Sequence, residues 1–354
     1  MSDFDYGNAR LRAMKSHLLS RQMLEGLTEA GSVQGLITAL INTAYREAVG
    51  AALVRLTGME CLAEALRNDL VAKVGRARTF YAGSAGELAA LVLRRYDLHN
   101  VKTVLRGLTR QAPANEILAS TLPVGDLRPP DLAELARAAN VRVAIDLIAT
   151  WHLPVAQPLL EQRAARPGAE LFEMEVALDR WYFRTAIQTA SRADSVLSES
   201  LALEADATNI MTALRLVGVP EAVPILRERF GSDNAIPLFI GPERIPFALL
   251  AQVARQESVP GAIAMLAGTA YGAILTDVLD AYTASLRLSV FERALVQRRL
   301  QHAAGLIVRD PLGIGVLLGY VALKTNEVAN LRAIAQGLML SEKPDRIRPE
   351  LMFV

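Results

Sequence analysis

A single cysteine, Cys61, has no partner for an internal disulfide and fits a reducing compartment. Histidine is nearly as scarce: His17, His99, His152 and His302 stand apart, at no metal-ligand spacing to one another or to Cys61. Neither sign of charge is in excess. With 38 basic and 37 acidic residues the net charge is +1, which excludes the global positive field of a nucleic-acid binder. The GxxxxGK[ST] phosphate loop, GxGxxG after a strand and the GxSxG elbow are all missing. No cofactor is implied, and the chain suits the holding of other proteins better than catalysis. Met1 to Arg12 is too polar for a signal peptide, so none is expected.

Long uncharged runs are also rare. Ser258 to Thr276 holds 19 residues without a charge, nominally enough to span a bilayer. Pro260 and three glycines interrupt it, and its repeat counterpart near Val141 carries Arg142 and Asp146. It reads as a buried helix, as does Pro311 to Leu323, with no direct membrane span. Aromatics make up only 5% while hydrophobic residues reach 52%, and Ala, Leu and Arg dominate. That balance predicts an all-α fold.

What the chain does contain is repetition. Asp97-Leu-His-Asn100-Val returns as Asp206-Ala-Thr-Asn209-Ile and as Glu327-Val-Ala-Asn330-Leu, with Asn-to-Asn spacings of 109 and 121. A second motif recurs around Val33, Val141 and Val259 at spacings of 108 and 118. Two motifs with matching periods identify a threefold internal repeat. The expected domains are residues 1–120, 121–235 and 236–354, each large enough to bury its own core. Three like domains can stack in a line or close around a pseudo-threefold axis, and the repeat alone is compatible with both. Leu122-Pro-Val-Gly125 and Leu238-Phe-Ile-Gly241 resemble each other at the two junctions.

An apolar stripe from Leu88 to Leu108 runs through the first motif, which places Asp97 and Asn100 side by side in mid-helix. Asn is mildly unfavourable there. Its return in every copy implies a partner for its amide, such as the backbone of a neighbouring helix. Asp97, Asn100, Asp206, Asn209, Glu327, Asn330 and Arg332 are therefore read as structural, and His99, absent from the other copies, as incidental. Leu11, Met14, Leu18 and Leu19 predict an amphipathic N-terminal helix. Tyr6, Arg10, Arg12 and Lys15 on it, with Arg94 and Arg95 before Asp97, are the candidate partner-binding residues. Elsewhere the reading gives a helical hairpin over 44–82 and a helix beginning at Glu87. It also gives an aromatic cluster at Trp181, Tyr182 and Phe183, a buried Trp151 at a helix end, and a last short helix from Ser341.

The blocks Tyr6-Gly-Asn-Ala-Arg10-Leu-Arg12, Asp97-Leu-His-Asn100 to Arg106, and Asp310-Pro-Leu-Gly-Ile-Gly with Gly319-Tyr320 and Glu327-Val-Ala-Asn330-Leu-Arg332 carry a further signal. Together they resemble the C subunit of the V/A-type ATP synthases, which is similar to the d subunit of eukaryotic V-ATPases. The resemblance spans the whole chain. It implies three similar helical domains in a pseudo-threefold funnel, acting as a non-catalytic rotor part of the central stalk. The implied partners are the central-shaft subunits of the ATPase head and the membrane proteolipid ring, with no nucleic acid. The implied location is cytoplasmic, peripheral to the membrane, with torque passing between ion transport and ATP chemistry. Ala213-Leu-Arg215-Leu departs from the usual motif ending in the second repeat. A cytosolic helical scaffold for unrelated proteins is the alternative, and an enzyme without familiar motifs is a third.

Overall fold

The structure, a computed structural model, describes residues 4–354, and among them there is helix and no strand. The chain gathers into two compact units. One comprises the residues up to Val104, Pro113–Glu134 and Leu300–Val354; the other comprises Leu105–Ala112 and Leu135–Arg299.

The first unit is built on the helix Gly315–Met339, which packs against Asp5–Lys15, Val33–Leu40 and Gly58–Arg78. Its sequence explains that central place. Val316, Leu317, Tyr320, Val321, Val328, Leu331 and Ile334 are all buried, so the helix is apolar around most of its circumference. Each fully buried aliphatic side chain contributes about 1.5–3 kcal/mol, an upper bound because the unfolded chain is itself partly collapsed. Gly319 permits the closest approach. A Cβ there would lie 2.4 Å from Ile307, too near for any side chain.

The N-terminal helix Asp5–Lys15 locks onto the later part of the chain. Asn8 Nδ2 donates to the carbonyls of Gly313 (3.0 Å) and Pro311 (3.3 Å), while Tyr81 donates its hydroxyl to Asn8 Oδ1 at 2.8 Å. Glycine is required at position 7, because the Tyr81 ring stands 2.3 Å from where a Cβ would be. Two blocks of the sequence resemblance, around Tyr6 and around Asp310, thus meet in space. Arg46–Leu53 and Gly58–Arg78 form the expected hairpin. The helix Gly83–Thr109 starts four residues earlier than Glu87, and the last short helix begins at Pro344 rather than Ser341.

The second unit centres on a hairpin of two long helices, Leu171–Ala193 and Ser195–Leu216. Asp194 makes the turn and caps the second helix, its carboxylate accepting from Leu197 N at 2.8 Å. Trp181, Tyr182 and Phe183 are buried as expected. The core of this unit joins Ile210 and Leu214 to Phe239, Leu250, Ile263, Leu266, Phe291 and Leu295. Buried Glu173 is held by Arg166 at 2.5 Å.

Three expectations need correction. The run Pro311 to Leu323 is helical only from Gly315 onward, and Leu312 stands exposed in the turn before it. The uncharged run 258–276 is not one buried helix but two, Val259–Leu266 and Gly272–Asp277. Thr269 donates its hydroxyl to Leu266 O at 2.7 Å, and the Ala267 carbonyl occupies the Cβ position of Gly272, so the chain turns between them. Trp151 is half-buried rather than buried, since the helix ends there and His152 takes a left-handed φ of 54°. Among the described residues no helix is long and apolar enough to cross a membrane.

Candidate functional site

The three motif asparagines do the same thing three times. Asn100 Nδ2 donates to Leu122 O at 2.8 Å while its Oδ1 accepts from Leu122 N at 2.7 Å. Asn209 makes the same pair with Ile240, both at 2.8 Å, and Asn330 with Met352, both at 2.9 Å. A carboxamide carries one acceptor and one donor in a plane, as a peptide group does, so it can close a two-bond ring with a single residue's backbone. All three asparagines are at most 2% exposed. The expected partner for the amide is therefore present, but it is non-helical chain downstream rather than a neighbouring helix. Each clamp ties the chain 22, 31 or 22 residues downstream to its own long helix.

Gly125 and Gly241, paired in the junction comparison, both approach a motif helix. A Cβ on Gly125 would fall 2.2 Å from the Asp97 carboxylate, and one on Gly241, at φ 72°, would fall 2.6 Å from Ala205. The clamped residue is nonetheless three before Gly125 and one before Gly241. The junctions thus keep their glycine and shift their anchor.

The acid of each motif is buried and satisfied differently. Asp97 accepts from the backbone amides of Asp126 (2.8 Å) and Leu127 (2.9 Å). Burial pushes its carboxyl up, and those two amides pull it back. Asp206 accepts from the Tyr271 hydroxyl at 2.9 Å and faces Arg244 Nε at 3.4 Å; burial is again the largest influence, and raises it. Glu327 accepts from Leu19 N at 2.5 Å and from the Tyr45 hydroxyl at 2.6 Å. Beside it Lys324 Nζ lies 2.6 Å from both Glu327 and Asp69 and 2.8 Å from Tyr45. Burial first, then the facing Glu327, raises the Tyr45 phenol far above its ordinary range. One buried cation thus serves two buried carboxylates.

Tyr45 and Tyr271 were missed in the sequence, although a signal exists. Both end a Thr-Ala-Tyr triplet placed twelve residues after Val33 and Val259. In each the threonine Oγ1 accepts from the tyrosine N and donates to a carbonyl behind it. Tyr45 of the first repeat reaches the acid of the third, and Tyr271 of the third reaches the acid of the second. The second repeat has Leu153 at that place, without a hydroxyl.

The candidate partner-binding residues separate. Tyr6 is exposed, edge-on to Phe80 at 6.2 Å, and Arg10 lies over the same ring at 5.4 Å. Arg12 directs its guanidinium to the carbonyls of Pro311 (3.1 Å) and Ile307 (3.4 Å), so part of its role is internal. Lys15 is exposed. Arg94 is half-buried and Arg95 exposed on the Asn100 helix; they do not line the clefts beside the N-terminal helix. Arg332 is exposed and takes no part in the Asn330 clamp.

The family model for the ATP synthase (C/AC39) subunit matches residues 7–350. The A-type ATP synthase C subunit of Methanosarcina acetivorans is 28% identical, over all of this chain and 94% of that protein. The same-named subunit of Methanocaldococcus jannaschii is 25% identical over 99% of this chain and 87% of its own length. The V-type ATP synthase C subunit of Deinococcus radiodurans is 26% identical, over 99% and 91%.

Proposed function

From its membership of the ATP synthase (C/AC39) subunit family, to which this chain belongs, we propose that the protein is the non-catalytic central-stalk subunit of a V/A-type rotary ATPase. In this reading it stands between the shaft of the nucleotide-hydrolysing head and the proteolipid ring, at the cytoplasmic face of the membrane. It carries torque and binds no cofactor. The observation that carries the reading is the family match, which runs almost from end to end of the chain.

The physical character of the molecule supports it. A torque-bearing coupling needs joints that resist shear. Here each repeat's long helix is tied to downstream chain by a buried two-bond clamp. The domain reading of 1–120, 121–235 and 236–354, closing around a pseudo-threefold axis, belongs to the same proposal. Its support is the recurrent tyrosine-to-acid step, which takes repeat three to repeat two and repeat one to repeat three.

The test is removal of the subunit from its host complex. Without it, ATP hydrolysis by the released head should persist, while ATP-driven ion transport by the membranes is lost, and adding back the purified chain should restore it. A fully coupled complex assembled without this chain would refute the role.

A further inference from the structure

The N-terminal helix Asp5–Lys15 is flanked by two clefts, both within the first compact unit. The first, about 330 Å³, lies between this helix, Gly58–Arg78 and Gly315–Met339, and presents Arg10, His17, Lys73, Arg76 and Lys324. The second, about 490 Å³, lies on the side of the Ser289–Arg309 helix and presents Arg12 and Lys15. No carboxylate lines either cleft. Among the described residues Arg10, Arg12, Lys15, Lys73 and Arg76 have no ion-pair partner, whereas Lys324 is neutralised by Asp69 and Glu327. Five cations without a carboxylate partner around one short helix are a local excess in a chain whose total is +1, although Arg12 also donates to backbone carbonyls and Arg10 lies over Phe80. Beside the second cleft, Val308 is 80% and Leu312 65% exposed, an apolar strip with nothing over it.

We propose that these two clefts receive carboxylate side chains from an acidic, amphipathic helix of another polypeptide. The concavity decides between occupants. A flat anionic lipid surface would meet the ridge of the helix and leave the clefts unfilled, and a free phosphate would fill one of them. The clefts are separated by the width of a helix, about 10 Å, which is also the rise between residues seven apart on an α-helix. Carboxylates one heptad apart therefore reach both clefts, and the apolar face of such a segment has Val308 and Leu312 to cover. Sites of this kind hasten association and weaken with added salt.

The inference deepens the central-stalk reading and rests on it for the partner's origin, though not for the binding chemistry. The test uses the full chain and a synthetic amphipathic helix bearing glutamates one heptad apart, with a glutamine version as control. The glutamate peptide should bind and the glutamine peptide should not. Charge reversal of the first cleft (Lys73→Glu with Arg76→Glu) or of the second (Lys15→Glu) should weaken binding about tenfold or more. Lys73→Ala with Arg76→Ala, on exposed or half-buried positions, gives the same direction if the reversal disturbs folding, which circular dichroism checks. Equal binding of the two peptides, or binding indifferent to these substitutions, overturns the proposal. So does sedimentation of the wild type with phosphatidylglycerol vesicles without peptide binding, which would assign the clefts to lipid. Reconstitution separates the two readings. If wild type restores the depleted ATPase and the cleft variants do so equally well, the docking inference fails and the stalk role stands. If wild type itself does not restore it, the stalk role fails whatever the peptide does.

Discussion

Replacing Asn209 by Leu isolates the clamp. The side chains are similar in size, so little cavity or overpacking is created. What is lost is the pair of 2.8 Å bonds to Ile240. Ile240 is only 4% exposed, so water cannot replace them and its N–H and C=O both stay unsatisfied. Each orphaned group costs about 1–3 kcal/mol; after the gain from burying a more apolar side chain, the net loss should be about 2–4 kcal/mol. Leu122 is half-buried, so hydration softens the same change at the first copy, and Asn100→Leu should cost about 1–3 kcal/mol. Urea unfolding followed by circular dichroism measures both, with the slope checked for constancy. Arg332→Ala, one exposed position near the third clamp, should stay within about 0.5 kcal/mol of wild type. An Asn209→Leu midpoint equal to wild type would refute the reasoning, and so would a loss at Asn100 larger than at Asn209.

Lys324→Met removes the one cation between Asp69 and Glu327 and should destabilise by about 3–5 kcal/mol, seen as a lower melting temperature; an unchanged melt would contradict the cluster. Gly125→Ala drives a Cβ into the Asp97 carboxylate and should cost about 1–3 kcal/mol in urea unfolding, while Gly168→Ala, with open space around it, serves as the neutral comparison. Burial raises the Asp206 carboxyl above its ordinary 3.8, so the folded chain keeps a proton that the unfolded chain has already released. Its contribution to stability is therefore largest below pH 3.8 and falls as pH rises through the raised value. The stability of wild type relative to Asp206→Asn should decline with pH across that window, and a difference that grows with pH would reverse the assignment.

Much of this was legible in the sequence because helices write their period into it. The apolar stripe around Asn100 placed that residue in mid-helix, and the structure puts it inside Gly83–Thr109. The recurrence of Asn foretold a backbone partner, yet the kind of partner was illegible. A backbone donor and acceptor leave no mark on the residue that supplies them, and Leu122, Ile240 and Met352 share no side-chain chemistry beyond being apolar. The break in the run 258–276 escaped because hydrophobicity does not distinguish one helix from two. The turn there rests on a Thr269 hydroxyl and a Gly272 contact. Tyr45 and Tyr271 escaped for a third reason: a pair repeated in two copies of three falls below a search that asks for all three.

The interlock of Asn8 with Pro311 and Gly313 has a consequence for the order in which the molecule can be made. The first hundred residues belong to a unit whose central helix, Gly315–Met339, is translated only after the whole Leu135–Arg299 segment of the other unit. At about 5–20 residues per second, roughly 10–50 s separate the synthesis of Val104 from that of the C-terminal segment. Throughout that interval the faces of Asp5–Lys15 and Val33–Leu40 that cover the late helix are uncovered. The other unit, apart from the short stretch Leu105–Ala112, is one continuous segment ending at Arg299, and it can close first. The nascent chain must therefore keep its beginning waiting for its end, and that waiting period is when a chaperone has apolar surface to hold.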